Sequence, residues 1–139
     1  MKATKLTILY AEDDLDDLDM VKLAFETKED IEIIHANDGN EALAYLAGLD
    51  DGQLPCLIIL DINMPGMDGR QTLIQLKQHE TYKNIPVVMF TTSNSPTDIE
   101  FARKYGADFV TKPLRFDEIE NLVTVFADRC KVEISSRNA

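Results

Sequence analysis

Leu57-Ile58-Ile59-Leu60 is an unbroken apolar run that ends on a carboxylate, Asp61. The run is too short for a stable helix and lacks polar alternation, so it reads as a strand buried on both faces. Strands of that kind belong to parallel sheets with helices packed on either side. Pro65, Gly66 and Gly69 follow and force the backbone out of regular structure. Asp61 is therefore expected at the carboxyl end of a central strand, at the mouth of a loop. Open α/β sheets bind ligands at that edge. Taken alone, Asp61 can also be read as the cap of the next turn, and the rest of the chain has to decide between the two.

Five short apolar runs alternate with five helical patterns. Leu6 to Ala11 reads as the first strand. Asp14 can cap a helix whose apolar face uses Leu18, Val21 and Phe25. Ile31 to Ala36 is the second strand, and Asp38 with Glu41 reads as a capping box for a helix through Leu43 and Leu46. Gly48 to Gly52 ends that helix. After the third strand, Asp68 with Gln71 suggests a capped helix through Leu73 and Leu76 to about His79. Ile85 to Thr91 is the fourth strand, with Pro86 near its start, where a missing donor is tolerated. Ser95-Pro96-Thr97-Asp98 combines a cap, a proline at the first helical position and an acid in the first turn. That helix runs to Tyr105 and stops at Gly106. Ala107 to Thr111 is a short fifth strand, broken by Lys112-Pro113. Ile119, Leu122, Val123 and Phe126 form the buried face of the last helix, and the polar tail from Val132 to Ala139 is expected to fray. Such alternation implies βαβ units with right-handed crossovers, a parallel sheet and helices on both faces.

The 139 residues suggest one domain, with a core from about residue 5 to 131. The net charge of -11 argues against a nucleic-acid surface and against anionic membranes. The apolar run near the amino terminus, which carries Lys2 and Lys5, is too short for a signal peptide, and no segment is expected to span a membrane. Cys56 and Cys130 show no metal-binding spacing, and Cys56 reads as a small apolar residue opening a buried strand. A reducing cytoplasm is the expected location.

The strand ends matter together. Strand one ends at Glu12-Asp13 and strand three at Asp61. If these strands are neighbours, three acids converge on one edge, where like charges repel unless a cation compensates. Hard oxygen ligands suit Mg2+ or a similar ion. Strand four ends at a hydroxyl, Thr91, and strand five at an ammonium, Lys112. Acids, hydroxyl and ammonium at one edge make a phosphoryl site. Asp61 would be the nucleophile, Lys112 would neutralise the equatorial oxygens, and Thr91 would donate to the product phosphoryl.

With those residues in place, the chain resembles the receiver domain of two-component response regulators. The matching features are Glu12-Asp13, Leu60-Asp61-Ile62-Asn63-Met64-Pro65-Gly66-Met67-Asp68-Gly69, Thr91 and Lys112-Pro113, in that order. The resemblance implies an α/β fold, a doubly wound (βα)5 flavodoxin-like sandwich on a parallel five-stranded sheet of order 2-1-3-4-5. It implies that Asp61 accepts a phosphoryl group from the phosphohistidine of a sensor histidine kinase or phosphotransfer protein. By matching position, Asp13 and Asp61 would ligate Mg2+ (or Mn2+) directly, Glu12 would act through water, and Asn63 would offer its backbone carbonyl. Thr91 and Phe109 match the paired switch residues, Lys112 the phosphate-contacting lysine, and the Lys112-Pro113 bond is expected to be cis. Asn63 and Ser93 match positions that tune phosphoryl lifetime. The output would be a change on the face of helix four, strand five and helix five, read by a separate protein target, with a homodimer through that face left open. With nothing after Lys131 long enough for an output domain, the expectation is a stand-alone receiver that acts on a separate target, passes phosphate onward in a relay or drains a kinase. Thr91-Thr92-Ser93 and the long exit from helix three (Lys77 to Asn84) resemble the group found with phytochrome-type kinases.

Several residues depart from the family pattern or have blander readings. The acidic pair is Glu-Asp rather than Asp-Asp, Phe109 lacks the hydroxyl often found there, and Thr92 stands where a small side chain is usual. Glu12 and Asp13 could cap helix one, although Asp14 suits that task. Asp16, Asp17 and Asp19 read as a solvated helix face, His35 and His79 as uninvolved, Met64 and Met67 as loop packing. One competing class is an Mg2+-dependent aspartyl-phosphate phosphatase of the haloacid-dehalogenase type. That pattern wants a second Asp where this chain has Asn63, on a first rather than a third strand. A flavodoxin binding FMN would meet acids instead of a phosphate loop after strand one. A pseudo-receiver that never takes phosphate would not need the complete constellation.

Overall fold

Strands and helices alternate in the order β1 (Leu6–Ala11), α1 (Leu15–Phe25), β2 (Ile31–Ala36), α2 (Gly39–Ala47), β3 (Leu57–Leu60), α3 (Gly69–Gln78), β4 (Val87–Thr91), α4 (Pro96–Lys104), β5 (Asp108–Thr111) and α5 (Phe116–Arg137), with one 3-10 turn at Asp51–Gln53. These elements come from a computed structural model that describes residues 6–137. All strand pairs are parallel and the sheet order is β2-β1-β3-β4-β5. The signal-peptide argument from Lys2 and Lys5 lies outside the described residues, as does the tail beyond Arg137.

The unbroken apolar strands serve two cores at once. Side chains alternate across a strand. Ile8, Tyr10, Leu57, Ile59, Val88 and Phe90 face one layer, where α1 and α5 contribute Leu18, Val21, Phe25, Ile119, Val123 and Phe126. Leu9, Ala11, Ile58, Leu60, Val87 and Met89 face the other, against Ala42, Leu46, Leu73, Leu76 and Ala102 of α2, α3 and α4. All four residues of β3 are fully buried. Each such side chain contributes about 1.5–3 kcal/mol of hydrophobic stabilisation, so the central strand cannot shift register cheaply.

Most helix starts follow the local signals. Asp14 accepts from the Asp16 and Asp17 amides, Asp68 and Gln71 form a reciprocal capping box, and Ser95 accepts from Thr97 N with Pro96 at the first helical position. At α2 the box is half made. Asp38 accepts from Glu41 N, but the Glu41 carboxylate turns to the Asn37 amide and side chain. β4 begins at Val87, two residues later than the apolar run suggests, because Pro86 has no donor; its carbonyl still accepts from Ile58 N at 3.0 Å.

Two expectations about the end of the chain are corrected. α5 continues to Arg137 rather than fraying at Val132. Ile134 packs against the core, and the Arg137 guanidinium bonds the carbonyls of Leu54 (3.2 Å) and Pro55 (2.9 Å) and the Glu133 carboxylate (2.7 Å). Cys56 is not merely an apolar filler but is disulfide-bonded to Cys130, 74 residues away. Cys56 N donates to Thr7 O at 2.9 Å, which fixes it at the foot of β3, where α5 passes. Both cysteines are at most 1% exposed.

A bridge closing so long a loop stabilises the fold by roughly 4 kcal/mol in the chain-entropy picture. Cys130→Ala is expected to lose about that much in guanidinium unfolding, and wild type unfolded without reductant should take up no thiol alkylator. Full alkylation before reduction, or an unchanged unfolding midpoint, would contradict the bridge.

Candidate functional site

The carboxyl ends of β1 and β3 come level, and β4 and β5 run two residues further toward the same edge. Register pairs Ala11 with Leu60, Leu60 with Met89, and Thr91 with Thr111. The next residues on β1 and β3, Glu12 and Asp61, therefore emerge side by side, and Lys112, two residues further along β5, reaches back to them with its long side chain. Glu12, Asp13 and Asp61 each offer a carboxylate oxygen within 4.8 Å of the others. Glu12 is 0% and Asp61 7% exposed, whereas Asp13 faces solvent. Thr91, at the end of β4, is fully buried.

Lys112 is the cation facing these acids. Its Nζ lies 2.6 Å from Glu12 Oε1 and donates to Asp17 Oδ2 at 2.8 Å and Asp61 Oδ2 at 3.1 Å. Burial works against its charge, but the hydrogen bonds to Asp17 and Glu12 outweigh that and raise its pKa. Asp17, read from sequence as part of a solvated face, thus belongs to the site. It stands in the first turn of α1, on the side that meets Lys112. The Lys112-Pro113 peptide, expected to be cis, is trans like every other peptide among the described residues. The trans form is the ordinary preference, and Lys112 Nζ reaches all three acids from it.

Glu12 is held by more than Lys112. The Tyr10 hydroxyl donates to Glu12 Oε1 at 2.7 Å, and the Asp14 amide donates to Oε2 at 3.3 Å. Burial first, and the adjoining Asp61 carboxyl second, push the Glu12 pKa up to about 7, against the pull of Lys112 and Tyr10. Burial and the neighbouring Glu12 also raise the Tyr10 hydroxyl well above its usual range. His35 Nε2 lies 2.7 Å from the Glu12 carbonyl, so one of the two histidines does touch the site, through backbone. Sequence spacing points to neither partner. Tyr10 reads as an ordinary strand residue, and His35 reaches Glu12 only because β2 lies beside β1.

The loop after β3 is shaped by glycine. Gly69 N donates to Ile62 O at 2.9 Å, and a Cβ on Gly69 would sit 2.2 Å from the Asp61 carbonyl oxygen, so no side chain fits there. Gly66 has φ +71°, the left-handed region that favours glycine. This fold-back lets Asn63 N reach Asp61 Oδ1 at 3.4 Å. Phe109 is half-buried against the α4 side of the sheet. Thr92, Met20, Pro113 and Leu114 line a groove beside Lys112.

The donor set consists of hard oxygens, with one lysine facing an excess of carboxylates. That composition fits a divalent cation of the Mg2+ or Mn2+ kind. Asp61 is only 7% exposed, keeps an ammonium at hydrogen-bond distance, and stands at the strand-end edge where an incoming group would approach. The arrangement can neutralise charge on a group transferred to Asp61.

Comparison with known proteins agrees with this geometry. The response regulator receiver domain family matches residues 8–124. The response regulator Rcp1 of Synechocystis sp. is 38% identical over 96 residues, covering 66% of this chain and 65% of its own length, so the match falls short of two thirds of that relative. The crystal structure of the phosphorylated cyanobacterial phytochrome response regulator RcpA superimposes with a TM-score of 0.79 at 31% identity, covering 89% of this chain and 91% of that one. The Mn2+-bound form of Rcp1 gives a TM-score of 0.75 at 32% identity, over 85% and 88% of the two chains. With five parallel strands in the order β2-β1-β3-β4-β5 and a family match across both acidic strand ends, the chain belongs to the response regulator receiver domains of two-component signalling.

Proposed function

We propose that Asp61 is a phosphoacceptor, taking a phosphoryl group from the phosphohistidine of a sensor histidine kinase or phosphotransfer protein. The observation that carries this reading is the pairing of a nearly buried Asp61 with Lys112 Nζ at 3.1 Å, inside a three-carboxylate cluster. An Asp61 oxygen would attack phosphorus as the bond to the donor imidazole nitrogen breaks. With its other ring nitrogen protonated, the imidazole leaves neutral, taking the electron pair of the broken N–P bond. Lys112 would exchange part of its carboxylate contacts for a phosphoryl oxygen. Asp13 and Asp61 would ligate Mg2+ directly, with Glu12 acting through water and Asn63 through its carbonyl. The metal would supply neutralising charge to the phosphoryl oxygens. The chemistry of the chain would be this self-modification and its reversal, not turnover of an outside substrate.

The Thr91 hydroxyl would turn to the new phosphoryl group, and Phe109 would follow into the space behind it. The face of α4, β5 and α5 would then change for a downstream protein or a second copy of the chain. Similarity to the phytochrome response regulator RcpA supports a phytochrome-type kinase as the donor class. A cytoplasmic location goes with that reading, and no described helix is long and apolar enough to cross a membrane. Disulfides are uncommon in that compartment. Burial of Cys56 and Cys130 would shield their bond from reductant, and the reduced pair would still pack as core.

Incubation with acetyl phosphate should add one phosphoryl group to the intact mass, and the adduct should need both Mg2+ and Asp61. An adduct that survives in Asp61→Asn would refute the assignment, and turnover of an external phosphomonoester would favour a phosphatase. Thr91→Ala should still form the adduct but lose the change in partner affinity. Coupling of this kind is worth about 1–3 kcal/mol, or roughly 5- to 150-fold in affinity. A Thr91→Ala protein with the full change would show that the switch runs through other residues.

A further inference from the structure

A second buried carboxylate lies outside the acid cluster. Asp98, in the first turn of α4, is 7% exposed, an uncommon place for an acid without partners. Both of its oxygens are engaged. Oδ1 accepts from the Arg70 guanidinium, and Oδ2 accepts from the Ser93 hydroxyl at 2.7 Å. Ser93 Oγ also accepts from Ser95 N at 3.2 Å, and Ser93 N donates to Thr91 Oγ1 at 3.3 Å. The Ser93 hydroxyl and the Arg70 charge hold the Asp98 carboxyl below the usual carboxylate range despite burial.

The backbone from which Arg70 extends is held in place. Arg70 follows Gly69, whose amide bonds Ile62 O and whose missing side chain lets α3 abut the Asp61 carbonyl. The contacts therefore run from the Asp61 loop through α3 and α4 and back to Thr91. We propose that Arg70, Asp98 and Ser93 form a latch that holds the segment between β4 and α4 in its resting arrangement, with Asp98 a positioning residue for Thr91.

The latch rests on the phosphoacceptor reading of Asp61. In the resting arrangement the Thr91 oxygen accepts from Ser93 N. Swinging Thr91 toward a phosphoryl group pulls on Ser93, which Asp98 ties to α3. The Asp98 bonds are charge-assisted, roughly twice as strong as neutral ones. Contacts made in only one of two states shift the equilibrium toward that state. The latch thus opposes the active arrangement, and its loss favours it. A purely structural pairing has the opposite signature: its loss lowers stability and leaves affinity for a phosphoryl mimic unchanged or weaker.

The test compares wild type, Asp98→Asn, Arg70→Gln and Arg70→Lys. Mg2+-dependent beryllofluoride affinity, amide exchange of Ser93, Ser95 and Thr97 without ligand, and Tm are measured for each. Asp98→Asn and Arg70→Gln are expected to bind beryllofluoride about 5-fold tighter, at the low end of ordinary coupling, with faster exchange at those amides. Arg70→Lys, which keeps the charge, should stay nearer to wild type. Folded variants with wild-type affinity and wild-type exchange overturn the latch, as does a lower Tm with weaker binding. If wild type binds no beryllofluoride, the phosphoacceptor reading of Asp61 fails. The exchange data then decide the latch alone, and unchanged exchange overturns it. Should Asp98→Asn fail to fold, Arg70→Gln and Ser93→Ala provide the same comparison.

Discussion

One ammonium against several carboxylates is the contact on which this structure turns. Lys112 meets Glu12, Asp17 and Asp61 within 3.1 Å, and Asp13 stands beside them. A buried ion pair is costly to desolvate and returns that cost only with good geometry and further hydrogen bonds. Here the further bonds come from Tyr10 to Glu12 and from the Asp14 amide. The cluster keeps an excess of negative charge, and that excess makes it receptive to a cation.

The cluster exists because strand ends coincide. Parallel pairing of β1, β3 and β4 in a fixed register brings Glu12 and Asp61 out side by side. That register is set by alternating side chains filling two separate cores, so a shift by one residue would exchange the contents of both. Gly69 completes the geometry, since its bare backbone lets α3 close onto the Asp61 carbonyl. Packing in the sheet and chemistry at its edge are the same constraint expressed in two places.

The parts legible in the sequence are those carried by strand ends and helix caps. The strand alternation, the caps at Asp14, Asp68 and Ser95, and the meeting of Glu12, Asp13 and Asp61 depend on local pattern plus one assumption about strand neighbours. What escapes a sequence reading depends on how separate elements face each other. Asp17 joins the site because of how α1 is rotated, and His35 because β2 is the neighbour of β1. Asp98 reads as a first-turn acid, which it is, but its pairing with Arg70 depends on α3 lying beside α4. Cys56 and Cys130 are separated by 74 residues, and no spacing rule could join them. The polar composition after Val132 suggests fraying, whereas Arg137 finds carbonyl partners in the chain leading into β3.

The far end of α5 has a mechanical consequence. Its last turns are fastened to the start of β3 twice, covalently through Cys130 and by the Arg137 fork on Leu54 and Pro55. Its first turn follows an exposed Leu114 and has no such fastening to the foot of the sheet. The end of α5 farthest from the acids is thus tied to the sheet both covalently and by hydrogen bonds. Sliding of α5 along its own axis would have to break the Cys56–Cys130 bond or strip Arg137 from the two carbonyls.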